Sequence, residues 1–361
     1  MNEQENEKKG NGFGRKNVIR CVCFLLVFAL IFSVVQELFR GKWLLENSMS
    51  AATSWYDELE DLRDDTVDVF FVGTSHTYSS IDPMYMYENT GLTGMVLATG
   101  SMRLDLSYLY IEAGLGLQNP EYVVLDMSAI RYTTKYEESV IRKTLDQFPL
   151  NKDKISYILD NEDLGFDLLS GVFPFFRYHS RWNDLTEEDF LYLTGDVEKS
   201  CNRGHVFSAK VVAANMDQYY EDTNDEVTET SMYWLERISE LCEEHGATLV
   251  FMKTTSPDWT EAYSKKAQEI ADQFGVDYIN LASPEAFETM GIDVDTDFRD
   301  STNHTNQYGA EKTSIYLANW LTENYNLEDH RGEYTDWDED LVTYNKFKTS
   351  IMKDKDAPTL E

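Results

Sequence analysis

The stretch VDVFFVGTSHTYSSIDP, Val67 to Pro83, decides the fold. Five of its first six residues are apolar, a short run without alternation that reads as a strand buried on both faces, as in parallel sheets. It ends in Gly73-Thr74-Ser75-His76, which is small and polar. The carboxyl edge of an open α/β sheet is where ligands and chemistry collect, so Ser75 reads either as the cap of the next helix or as a nucleophile.

Working outward, elements alternate as β-α-β-α, which predicts a doubly wound α/β domain with a parallel sheet. Strands are expected at Met95 to Leu97, Tyr122 to Leu125, Thr248 to Met252 and Val276 to Leu281. Leu106, Leu109, Tyr110, Ala113 and Leu117 share one helical face, and Leu235, Ile238, Leu241 and Cys242 share another. Helices are also expected over Pro257 to Phe274 and over Gln307 to Asn324. The aromatic-rich stretch 128–226, containing FPFFRYHSRW, interrupts this series. So long a connection folds separately or covers a site, and a cap over the carboxyl edge of the sheet is the expectation.

The chain therefore divides into a disordered tail 1–16, an apolar span 17–39, a stalk or helix 40–66, the domain 67–326 with its insertion 128–226, and a docked helix and tail 327–361. Lys8, Lys9, Arg15, Lys16 and Arg20 precede the apolar run Cys21 to Val35, which is a positive-inside arrangement. Gln36-Glu37-Leu38-Phe39-Arg40 follows, without the small residues a signal peptidase needs, so the segment reads as an uncleaved signal anchor with an extracytoplasmic domain at a bacterial cell membrane.

A net charge of −34, from 65 acidic and 31 basic residues, argues against nucleic acid as a partner and disfavours docking on anionic lipid. Cys201 and Cys242 either pair or stay as buried thiols, and their spacing is not that of a zinc site. Asp293, Asp295 and Asp297 imitate a calcium loop, but Phe298 and His304 stand where Gly and Glu are needed. No metal and no cofactor are expected.

The second chemical cluster is DFRDSTNHTNQYGAEK, Asp297 to Lys312. A hydroxyl nucleophile needs a base, and the base needs an acceptor to fix its tautomer; Ser75, His304 and Asp300 supply the three. Here the chain resembles the SGNH (GDSL-like) hydrolase superfamily, and within it the membrane-anchored branch of DltD-like proteins and partners of extracytoplasmic O-acyltransferases. The matching pieces are GTSH (Gly73 to His76), LATGS (Leu97 to Ser101) and DSTNHTNQYGA (Asp300 to Ala310).

The resemblance implies a flavodoxin-like, three-layer α/β/α domain. It also implies Ser75 as nucleophile, His304 as general base, Asp300 as its orienting carboxylate, and the backbone N–H groups of Ser75 and Gly100 as the oxyanion hole. Two departures stand out: Asp300 lies four residues before His304 rather than three, leaving Asp297 as an alternative, and Asp126-Met127-Ser128 replaces a block that normally carries an amide donor. His76, Arg177 and His179 are candidates for substrate contact. The expected substrate is an acylated carbohydrate or glycopolymer, with a polytopic membrane acyltransferase as partner; the competing reading is a non-catalytic glycan-binding or assembly factor.

Overall fold

A computed structural model describes residues 14–39, 55–132, 138–146, 150–161, 168–194, 200–221, 226–300 and 304–353. In chain order its helices are α1 (Arg15–Leu38), α2 (Trp55–Asp61), α3 (Ser75–Ser80), α4 (Pro83–Thr90), α5 (Leu104–Leu115), α6 (Glu138–Leu145), α7 (Lys152–Asp160), α8 (Leu168–Val172), α9 (Pro174–Tyr178) and α10 (Glu187–Thr194). They continue with α11 (Glu229–His245), α12 (Glu261–Phe274), α13 (Pro284–Met290), α14 (Gln307–Asn324) and α15 (Thr335–Ile351). The strands are β1 (Val69–Gly73), β2 (Gly94–Ala98), β3 (Tyr122–Asp126), β4 (Thr248–Lys253) and β5 (Tyr278–Asn280).

All five strands are parallel, in the order β2-β1-β3-β4-β5, the flavodoxin-like winding expected from the sequence. Because side chains alternate across a strand, Phe70 and Val72 enter one core while Val69 and Phe71 enter the other. The first core is filled from α2, α5, α11, α12 and α15, the second from α4 and α14. Both faces of β1 are thus covered, which is why its sequence is apolar throughout.

Helix boundaries follow local chemistry. α11 stops at Gly246 and α12 at Gly275, each glycine taking a left-handed conformation that a Cβ disfavours. α12 starts at Glu261 rather than at Pro257, because the Thr260 hydroxyl accepts the Tyr263 N–H and so sets the cap. α2 is not part of a free stalk: Trp55 is buried against Tyr110, and Glu58 and Leu59 are buried beside it.

The interruption 128–226 has two parts with different roles. α6 and α7 pack Ile141, Leu145 and Ile158 on the first core, and the Tyr157 hydroxyl reaches Asp105 at the start of α5, on the carboxyl edge of the sheet (2.9 Å). α9 and α10 pack instead on α1. The returning stretch, residues 200–216, is not cap but body. The N–H of Val96 donates to the Arg203 carbonyl, that of Val206 to Tyr78, and that of Gln307 to Ser208. Arg203 is buried between Glu58 and Asp340, each 2.7 Å away, over the Trp337 ring, tying α2 and α15 to this strap.

Candidate functional site

Ser75 stands at the switch point of the sheet, where β1 is flanked by β2 on one side and β3 on the other. The end of β1 is pressed close to its neighbours. A Cβ on Gly73 would lie 2.7 Å from that of Asp126 and collide with Thr77, so only glycine fits. Capping falls to Thr74, whose side chain accepts the His76 N–H, and Ser75 becomes the first residue of α3. That leaves the Ser75 hydroxyl to other work.

β5, the strand preceding the His304 cluster, lies at the far edge of the sheet, so strand position alone does not deliver His304 to Ser75. The delivery is made by the chain after α13, which returns to the opposite side and enters α14. Asn306 caps α14 by accepting from Tyr308 and Gly309, while its amide donates to the carbonyls of Thr296 and Phe298. Thr305 bonds Ser80 (3.1 Å), and Ser314 accepts the Asp82 N–H (2.8 Å), clamping the start of α14 to α3 and α4.

The result is a continuous chain of hydrogen bonds. His304 Nε2 is 2.7 Å from Ser75 Oγ, and His304 Nδ1 is 2.9 Å from Asp300 Oδ2. A carboxylate only accepts, so Nδ1 carries the proton and Nε2 presents its lone pair to the serine hydroxyl. Asp300 also accepts the His304 backbone N–H, and buried Arg299 lies 3.4 Å from its carboxylate. The four-residue spacing is therefore accommodated. The alternative, Asp297, is engaged elsewhere, with Lys312 Nζ at 2.6 Å and the Asp293 N–H at 2.8 Å.

His76 packs its ring on that of His304, with centroids 4.9 Å apart. Burial, with Lys253, Arg131 and His304 nearby, lowers His76 to about 3 despite Asp258 at 3.9 Å, so it is neutral at neutral pH. A neutral neighbour does not oppose a positive charge forming on His304. Burial would raise Asp258, but His76, Arg131 and Lys253 outweigh it and hold its carboxyl well below the usual range. Arg131 bonds Asp258 at 2.7 Å, and the Ser256 hydroxyl also donates to this carboxylate.

Behind this pair, burial pushes the Lys253 ammonium below its ordinary range, against the pull of Asp126 at 3.9 Å. Burial would raise Asp126, but Lys253 and hydrogen bonds from Ser128 and Thr254 reverse the shift and keep it low. Asp126 thereby joins the ends of β3 and β4. The sequence carried one trace of this network: Lys253 and Asp126 each close an apolar strand with a charge.

Among the oxyanion candidates, the Ser75 N–H belongs to the first turn of α3, where amides have no intrahelical acceptor. Gly100 lies in the turn after β2, and a Cβ there would meet nothing within 4 Å. Ser128, which follows β3, is fully buried, and its backbone N–H donates to Asp126 at 2.7 Å.

Arg177 and His179 belong to the fabric of the insertion. Arg177 lies 3.5 Å from Ser170 and faces Asp146, and His179 bonds the Phe176 carbonyl at 3.1 Å. Cys201 and Cys242 are two separate buried thiols rather than a disulfide. A surface groove of about 610 Å³ lies along α11 and the end of α12 and is built from other residues than these, among them Met232, Tyr233 and Phe274.

No family model and no curated protein matches this chain. Three solved structures are similar to it at 10% identity. A candidate acylhydrolase from Bacteroides fragilis (TM-score 0.35) is matched over 75% of this chain and 94% of its own. A GDSL-like lipase from Bacteroides thetaiotaomicron (0.35) is matched over 76% and 98%, and a candidate GDSL-like lipase from Parabacteroides merdae (0.32) over 74% and 99%.

Proposed function

We propose that this protein is a serine-dependent acyl-ester hydrolase or O-acyltransferase of the SGNH (GDSL-like) type. The observation that carries the reading is the Ser75–His304–Asp300 chain at the switch point of a 2-1-3-4-5 parallel sheet. In the first half-reaction Ser75 Oγ attacks the acyl carbonyl carbon while its proton passes to His304 Nε2. The carbonyl oxygen becomes an oxyanion, held by the N–H groups of Ser75 and Gly100. Collapse breaks the ester C–O bond; the leaving alkoxide takes the proton from His304, and the acyl group stays on Ser75. Water or an acceptor hydroxyl then repeats the sequence in reverse, and the serine is restored. Asp300 holds the imidazole in its tautomer and stabilises the imidazolium.

For the setting, we read α1 as a signal anchor that leaves the domain outside the cytoplasm. Support comes from its 24 residues, long and apolar enough to cross a membrane, behind the basic cluster ending at Arg20. The substrate class that suits this placement is an acyl ester on a cell-envelope or exported glycopolymer. A polytopic membrane acyltransferase is the corresponding partner, supplying acyl groups from the other side.

The test is turnover of a panel of aryl acyl esters, from acetyl upward, by the full chain in detergent beside Ser75→Ala. Release of the aryl alcohol by the parent and not by the variant is the expected result. Equal, background release by both, with the fold intact, favours a binding protein.

A further inference from the structure

The end of α1 is clasped by the insertion. The Phe32 ring packs on those of Phe173 (5.4 Å), Phe176 (6.3 Å) and Phe175 (6.5 Å), and Phe39 meets Phe175 edge-on at 5.4 Å. Gln36 Oε1 accepts the Phe175 backbone N–H at 2.9 Å. In contrast, α1 from Arg15 to Ile31 is exposed.

The height of this clasp follows from helix geometry, on the reading that α1 spans the membrane. A hydrocarbon core about 30 Å thick takes about 20 residues at about 1.5 Å each. If the core begins at Val18, with Arg20 snorkelling back to its headgroups, it ends near Leu38. Phe32 is then about 21 Å in and about 9 Å short of the outer boundary. Starting the core after Arg20, or tilting the helix, places Phe32 deeper still. The rings touching Phe32 share its depth, so the insertion enters the outer leaflet. There the Gln36 bond has a reason, because a backbone N–H in hydrocarbon needs a partner.

The surface of the insertion agrees. Ile155, Leu159, Leu169, Phe176, Trp182 and Phe190 are all exposed, and Ile155 and Leu159 share one face of α7. Trp182 is 66% exposed, which is unusual for an indole in water and ordinary at a membrane interface. Elsewhere, among the described residues from Trp55 onward, the large exposed apolar side chains are Leu150, Val211, Val342 and three tyrosines, well separated in sequence. Exposed apolar side chains gathered on neighbouring helices mark an interaction surface, and α9 and α10, which pack on α1, place it beside the exposed apolar surface of that helix.

We propose that α7 to α10 form an interfacial collar seated in the outer leaflet around the end of α1, with lipid acyl chains covering their exposed apolar side chains. The occupant is lipid of low charge, since a chain carrying −34 is repelled by an anionic surface. The collar holds the domain at a fixed height against the membrane instead of letting it swing on a tether.

The test uses the full chain in phosphatidylcholine vesicles, with and without brominated acyl chains. Subtracting the emission of Trp182→Phe from that of the parent isolates Trp182, and Phe28→Trp reports on mid-helix insertion. The collar requires that the Trp182 component lose most of its intensity to brominated lipid and resist aqueous iodide. If Trp182 yields to iodide but not to brominated lipid while Trp introduced at 28 is quenched by it, the anchor stands and the collar is overturned. Trp182 shielded from both quenchers means a protein surface covers it, which also overturns the lipid assignment. Failure of brominated lipid to quench at position 28 defeats the membrane-spanning reading on which the collar rests.

Discussion

His304 presents Nε2 to Ser75 Oγ at 2.7 Å although the two residues stand 229 positions apart in the chain. The contact joins the start of α3, just past β1 at the switch point, to the loop before α14. Ser75→Ala and His304→Ala should each lower ester turnover by about a thousandfold or more, and the double variant should be little worse than either. Additive losses measured by steady-state kinetics would show that the two side chains do not act as a unit.

Asp300 and Asp297 are separated by their partners. Asp300→Asn should keep the fold and cost about 10²- to 10⁴-fold in kcat, because an amide at that position no longer fixes the His304 tautomer. Asp297→Asn should leave kcat within about threefold while lowering the thermal midpoint, since it breaks the Lys312 pair that braces the loop. The reverse pattern would transfer the supporting role to Asp297.

The two glycines beside the site make a contrasting pair. Gly73→Ala puts a methyl group against Asp126 and Thr77 and should destabilise the fold by about 1–3 kcal/mol in urea titrations. Gly100→Ala meets open space, so its midpoint should not move; on the proposed oxyanion role of its N–H, the added methyl group should reduce kcat/KM. An unchanged kcat/KM with the same midpoint would remove Gly100 from the site.

His76 gives stability a pH dependence whose sign is fixed. Its folded pKa, about 3, is below the unfolded value near 6.5, so the unfolded chain binds the extra proton between them. This contribution is fully present above pH 6.5 and is lost as pH falls toward 3, amounting to about 2 kcal/mol between pH 7 and pH 5. Asp258, depressed below the carboxylate range, gives up its contribution only at lower pH. Urea midpoints of the parent should fall over that interval more steeply than those of His76→Gln; parallel slopes would mean that His76 takes up its proton at the same pH in the folded as in the unfolded chain.

Much of this was legible beforehand, for physical reasons. β1, β3 and β4 announce themselves because a strand buried on both faces has to be apolar throughout, and α14 because Ala310, Ser314, Leu317 and Leu321 fall on one buried face. Ser75 stood out as a small polar residue just past a buried strand, and Asp300 and His304 as a carboxylate and an imidazole four residues apart before a helix, the residue types that a hydroxyl nucleophile needs. The strap 200–216 was not. It has no periodicity, and its buried Arg203 and His205 find partners in Glu58, Asp340 and Gln307, far away in sequence. For the same reason the pairing of Asp258 with Arg131, and the clasp of Phe173, Phe175 and Phe176 on α1, could not be read from local pattern.

The central claim, an activated serine, is tested most directly by treating the full chain with a fluorophosphonate and measuring intact mass. The account predicts a single phosphonyl adduct on the parent, lost in both Ser75→Ala and His304→Ala. A folded parent that takes no adduct, or an adduct that persists in Ser75→Ala, would contradict it.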